Sequence, residues 1–151
     1  MKIHLHIGLD GCGLLRLQEV LGEKRAQLEG KGVLFPRGPG PKNHTRLFMA
    51  VTDPDRPDPL RAARGFTDPA AQARLRDQVS EGLARDVARA KPETLILSAS
   101  QLATGLTEVS ELERLRDLLV PLSRDITVTI HLDDPARLLA WSYAAQVCEG
   151  R

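Results

Sequence analysis

Apolar and polar residues alternate from the start of the chain. In KIHLHIG, residues 2–8, Ile3, Leu5 and Ile7 interleave with Lys2, His4 and His6, and Gly8 closes the run. A period of two predicts a strand. After a glycine-containing turn the period changes. Leu14, Leu17, Val20, Leu21 and Leu28 fall close to one face of a helix over 13–29, with Arg16, Glu19, Glu23 and Lys24 elsewhere. Gly30-Lys31-Gly32 stops it, since glycine accepts the left-handed cap conformation. Val33-Leu34-Phe35-Pro36 reads as a short second strand, ended by a proline that cannot extend a ladder. Residues 37–66 are rich in Pro, Gly, Arg and Asp and predict a long connection, with one short helix around Thr45 to Val51. Connections of that length are often functional or mobile.

The second half is more regular. Asp68-Pro69 pairs an N-cap with proline at the first helical position, and the helix it starts runs to about Ala90 with Leu75, Val79, Leu83 and Val87 at helical spacing. Lys91-Pro92 ends it. Thr94-Leu95-Ile96-Leu97-Ser98 is a nearly continuous apolar run, the pattern of a strand buried on both faces. A helix covers roughly 108–120, ITVTIHL at 126–132 is the last strand, and Asp134-Pro135 starts a final helix to about Val147. Strands alternating with helices predict an α/β domain over 1–151: three layers, with a mainly parallel sheet between helices. In such sheets ligands bind beyond the carboxyl ends of the strands. Three segments therefore matter most: the loop after the first strand, the Ser98-Ala99-Ser100 corner and the Asp133-Asp134 corner.

Composition narrows the function classes. The formal net charge is +1 and aromatic residues make up only 3% of the chain, so neither a field for nucleic acid nor a stacking surface is advertised. No apolar run approaches the ~20 residues that span a bilayer, and KIHLHI is too short and polar for a signal peptide. Cys12 and Cys148 match no metal spacing or disulfide framework. A cytoplasmic protein with no metal, no nucleic-acid partner and no membrane partner is the resulting expectation.

The candidate chemistry begins at the first turn. Gly8, Gly11, Cys12 and Gly13 lie between a strand and a helix, where backbone N–H groups and the positive end of the helix dipole can cradle an anion. The turn carries neither lysine nor a hydroxyl side chain. Ser98 and Ser100, at a strand end, can bind phosphate oxygens or cap the following turn. His4, His6 and His131 fall on strands, where they can cluster across neighbours or serve as partly buried strand residues. His44 follows Asn43 in the long connection and is a candidate general base. Asp134 reads as the N-cap before Pro135.

HIG at 6–8, Leu17-Gln18 in the first helix, GVLFPRG at 32–38, Asn43-His44, LILSAS at 95–100 and ITVTIHLDDPARLLAWSYAAQV at 126–147 together resemble bacterial sulfotransferase-like proteins, in order and over almost the whole chain. The resemblance implies a P-loop-type α/β fold and 3′-phosphoadenosine-5′-phosphosulfate as donor. It also implies a first loop like HIG-x-x-KTGTTSLQ. Here Gly11 stands in the place of the lysine, Cys12, Leu14, Leu15 and Arg16 replace the hydroxyl residues, and Asp133 stands where an arginine grips the 3′-phosphate. Arg16 or Lys42 is then the candidate replacement cation, and Asn43-His44 lies toward the acceptor. The departures imply a degenerate, non-catalytic member that needs no cofactor and acts as a binding or assembly module. The alternative is an active sulfotransferase with an unknown acceptor. Members of that family continue well past this helix, while this sequence stops at Arg151, either as a fragment or as a natural truncation. The apolar face of the last helix, with Leu138, Leu139, Trp141 and Val147, is accordingly expected to hold a second copy or a larger assembly.

Overall fold

The computed structural model of the chain describes residues 1–9, 13–148 and 150. Its elements are β1 (Lys2–Gly8), α1 (Leu14–Glu23), α2 (Arg25–Glu29), β2 (Val33–Leu34), α3 (Thr45–Val51) and α4 (Pro59–Ala63), then α5 (Pro69–Ala90), β3 (Thr94–Ser98), α6 (Gln101–Gly105), α7 (Val109–Leu119), β4 (Ile126–His131) and α8 (Pro135–Cys148). The strands form one all-parallel sheet in the order β2-β3-β1-β4. β1 pairs with β3 from Lys2–Thr94 to His6–Ser98, and with β4 from Ile3–Ile126 to Gly8–His131.

This order decides the layers. The connection from β1 to β2 steps toward one edge, while those from β2 to β3 and from β3 to β4 step the other way. Right-handed crossovers therefore put α1 and α2 on one face and α3 to α7 on the other. The larger core lies on the second face. Ile3, Leu5, Leu95 and Leu97 from the sheet pack with Leu47, Phe48 and Met49 of α3, Leu75, Val79 and Leu83 of α5, and Leu115, Leu118 and Leu119 of α7. No helix among the described residues is long and apolar enough to cross a membrane.

Three expectations need correction. The helix expected over 13–29 is two helices meeting at Lys24. Arg25 explains the second: its Nε donates to the Phe35 carbonyl at 2.8 Å, its guanidinium also reaches the Pro41 carbonyl, and it lies over the Phe35 ring. These bonds pull α2 toward β2, a pull that a periodicity count does not contain. The helix at Thr45–Val51, expected inside a functional or mobile connection, is core: all its residues but Arg46 are buried. Its C-terminal carbonyls end inside the protein and are satisfied by Gln72, whose Nε2 donates to Met49 O at 2.8 Å and Thr52 O at 2.7 Å. Finally, α4 and α6 were not anticipated. The first begins with the same Asp-Pro signal seen elsewhere, Asp58 accepting from Arg61 N at 2.8 Å.

Candidate functional site

The crossover that leaves β1 and the one that leaves β3 run over opposite faces of the sheet, and these strands are neighbours. Their carboxyl ends form the topological switch point, where ligands bind in sheets of this class. The sheet's period of two separates two environments there. Ile3, Leu5 and Ile7 face the large core. His6 shares the opposite face with Ser98, His131 and Gln18 of α1, the helix that covers it.

These four side chains form one chain of hydrogen bonds. Gln18 Nε2 donates to Ser98 Oγ at 3.0 Å, Ser98 Oγ lies 3.0 Å from His6 Nδ1, and His6 Nε2 lies 2.9 Å from His131 Nδ1. With Gln18 donating to the serine, the one hydroxyl proton has His6 Nδ1 as its acceptor. That puts the imidazole proton on Nε2, facing His131. His6 stays neutral more readily than an ordinary histidine, because burial and then the neighbouring His131 lower its pKa. Ser98 is fully buried, so its hydroxyl is a relay within the protein and not a reachable nucleophile. Gln18 Oε1 is buried without a partner.

A second arrangement holds the other edge of β3. β2 stops at Leu34, and His44 takes over as the neighbour of Ser98. Its N–H donates to Ser98 O at 2.8 Å, and its Nδ1 accepts from Ser98 N at 3.1 Å. Its Nε2 therefore carries the ring proton and donates to Pro36 O at 3.1 Å. The ring also packs against Phe35, centroids 4.7 Å apart. Burial, outweighing the bond to Pro36, lowers the His44 pKa to about 4. The general base expected at His44 is thus a buried, neutral structural residue with both nitrogens occupied. Next to it, Asn43 Nδ2 donates to Ser100 Oγ and to Gln101 Oε1, each at 3.1 Å, while Asn43 Oδ1 accepts from Ser100 N at 3.3 Å. The hydroxyls of Ser98 and Ser100 are both spent inside the protein.

The remaining candidates lie around this cluster. Gly11 and Cys12 fall outside the described residues. Gly13 precedes α1 with φ of 79°, a left-handed conformation that glycine adopts without strain. Gly8 has a packing reason: a Cβ there would meet His131 Cβ at 2.8 Å and His131 O at 3.0 Å. Gly8→Ala is expected to push β4 away from β1 and cost about 1–3 kcal/mol, read as a lower urea midpoint. An unchanged midpoint would show that the strands do not need this close approach. Arg16 is exposed and pairs with Glu19 at 3.3 Å, and Lys42 approaches the same carboxylate at 3.8 Å. Asp134 caps α8 as expected, accepting from Ala136 N at 2.9 Å, while Asp133 lies 3.6 Å from Arg137. No group of three or more His, Cys, Asp or Glu among the described residues is placed to hold a metal. A cavity of about 520 Å³ lies elsewhere, in the 54–67 segment. There Arg61 is committed to Gln72 and to the carbonyls of Pro54 and Arg56.

The sequence pointed to Ser98, Ser100 and the first turn. It offered no local sign that Gln18 would reach Ser98; that the strand histidines can cluster was legible, but not that His6 and His131 are the two that meet. The one usable signal was parity, because His6 and Ser98 fall at matching positions only once β1 and β3 are paired in this register. No family model, no curated protein and no solved structure matches this chain.

Proposed function

We propose that this chain is a sulfotransferase-like α/β domain that has given up the phosphosulfate donor and serves as a binding or assembly module. One observation carries the reading: the described polar side chains at the switch point, Gln18 Oε1 excepted, are bonded to one another and to the main chain. Ser98 is held by Gln18 and His6, and Ser100 by Asn43. The residues present do not fit the donor. Among the described residues of the cluster the orphaned polar atom is Gln18 Oε1, an acceptor, and acceptors repel sulfuryl and phosphate oxygens. Sulfuryl transfer needs cations and N–H donors aimed at the charge that develops on the bridging oxygen. Arg16 and Lys42 instead share Glu19 at the surface, and Asp133 brings a negative charge to the end of β4. Surface pairs of this kind are weak, so the absence of any buried cation among the described residues of the cluster weighs more than the pairing itself.

Calorimetric titration with adenosine 3′,5′-bisphosphate tests the reading. The expected result is no saturable heat at micromolar ligand. Micromolar or tighter binding would overturn it and favour a working transferase with Arg16 as its cation, a role that Arg16→Ala would then abolish.

A further inference from the structure

β4 lies at one edge of the sheet, opposite β2, and its first five residues form a palindrome. Ile126-Thr127-Val128-Thr129-Ile130 reads the same in both directions about Val128. We infer that two copies of this chain pair antiparallel through β4, about a two-fold axis at Val128, and join their sheets into one.

The main-chain geometry selects this centre. In a parallel ladder each residue bonds to the two that flank its opposite number. Ile3 N donates to Asp125 O at 2.8 Å, and Leu9 N to His131 O at 3.3 Å. The alternation between these two bonds turns the main-chain groups of Thr127 and Thr129 toward β1, and those of Ile126, Val128 and Ile130 toward the free edge. An antiparallel partner needs outward-facing residues at its hydrogen-bonded positions. Pairing about Val128 sets Val128 against its own copy and Ile126 against Ile130, each directly opposed pair exchanging both of its bonds. A centre at Thr127 or Thr129 would place inward-facing groups at the axis. The palindrome and the free hydrogen-bonding groups therefore share one centre.

The side chains agree. Ile126, Val128 and Ile130 are in register with Ile3, Leu5 and Ile7, so they extend the core face of the sheet. Yet Val128 is 57% and Ile130 50% exposed. The two-fold axis stands normal to the sheet, so it brings these apolar strips together on the same side. On the opposite face it sets Thr127 against Thr129, a favourable cross-strand pair. One step further it sets His131 against the partner's Asp125. Nothing in 126–130 protects the edge, since it holds no lysine, proline or bulge-forming glycine. The surrounding surface is apolar too. Among the described residues, seven of the twelve exposed large hydrophobics fall between 128 and 147, including Leu139, Tyr143 and Val147 at helical spacing on α8. This fit is isologous, as a closed dimer requires. It does not depend on whether the first loop holds a donor.

The test uses the full chain in a Cys12→Ser, Cys148→Ser background. In Val128→Cys the two new thiols face each other across the axis, with Cα atoms ~5.5 Å apart, inside the range a disulfide spans. In Thr127→Cys the two thiols are offset along the strands, with Cα atoms ~8 Å apart and out of reach. In a glutathione redox buffer, Val128→Cys is expected to form covalent dimer at least tenfold more than Thr127→Cys. Sedimentation of the unmodified chain is expected to give a dimer at tens of micromolar. Val128→Lys, at an exposed position, is expected to give a monomer with an unchanged circular dichroism spectrum. A monomeric unmodified chain, equal cross-linking of the two cysteine variants, or a dimer that Val128→Lys leaves intact would each overturn the proposal.

Discussion

Replacing His44 with leucine is expected to lower the unfolding free energy by about 3 kcal/mol. The substitution roughly keeps the volume but strands Ser98 N–H and Pro36 O in the interior, and each unsatisfied buried group costs ~1–3 kcal/mol. The same residue sets an acid limit. Its pKa is about 4 in the folded protein, against ~6.5 in an unfolded chain. Between those values the unfolded state binds the additional proton, so stability falls as pH falls. The His44 contribution is fully present above about pH 6.5. It declines by up to about 1.4 kcal/mol per pH unit and is gone below about pH 4, a total near 3 kcal/mol. Urea midpoints measured from pH 7.5 to 4 check this. His44→Leu should be less stable at neutral pH and should lose most of the slope in that window. A variant with the full wild-type slope would place the titrating group elsewhere.

Glu111→Ala is expected to cost about 3–5 kcal/mol. Glu111 is completely buried, and it accepts from Asp53 N at 2.7 Å, Thr107 N at 2.8 Å and Glu108 N at 3.1 Å, with Arg56 at 2.8 Å. Alanine leaves three donors without acceptors and Arg56 without its counter-charge. Burial pushes the Glu111 carboxyl up, but the three backbone bonds and Arg56 together hold its pKa below the usual carboxylate value. The sign follows: its contribution is present above the unfolded pKa of ~4.3 and is lost as pH falls through the lower folded value. Glu111 therefore acts below the window in which His44 acts. In an acid titration of stability, Glu111→Gln should remove the lower limb and leave the His44 limb in place. Hydrogen exchange adds a local reading, because Glu111→Ala should release the amides of Asp53, Thr107 and Glu108 together.

Much of the scaffold was legible in the chain. The alternation in KIHLHIG, the apolar run at 94–98 and the caps at Asp68 and Asp134 describe local chemistry, and the structure carries each as an element or a cap. The candidate site was legible in part. Glycine at the first turn and serines at a strand end mark where a switch point could lie, but not whether their hydrogen-bonding groups face out or in. His44 is the clearest case: a histidine in a polar connection looks like a base until its backbone and ring are seen bonded to Ser98.

What the sequence by itself determined was the four strands, the longer helices and the α/β class, but not α4, α6 or the break at Lys24. Strand and helix periods, caps and proline stops are properties of neighbours in the chain, and they suffice for a parallel α/β sheet. What only the tertiary structure decided was which residues meet. The bonds of Ser98 to His6 and to Gln18 join residues 92 and 80 positions apart, and His6 meets His131 across 125. Those encounters depend on strand order and register, which no local pattern encodes. The same holds for β4. The palindrome was always in the sequence, but it gained a meaning only when the sheet left that strand at its edge with Val128 turned outward.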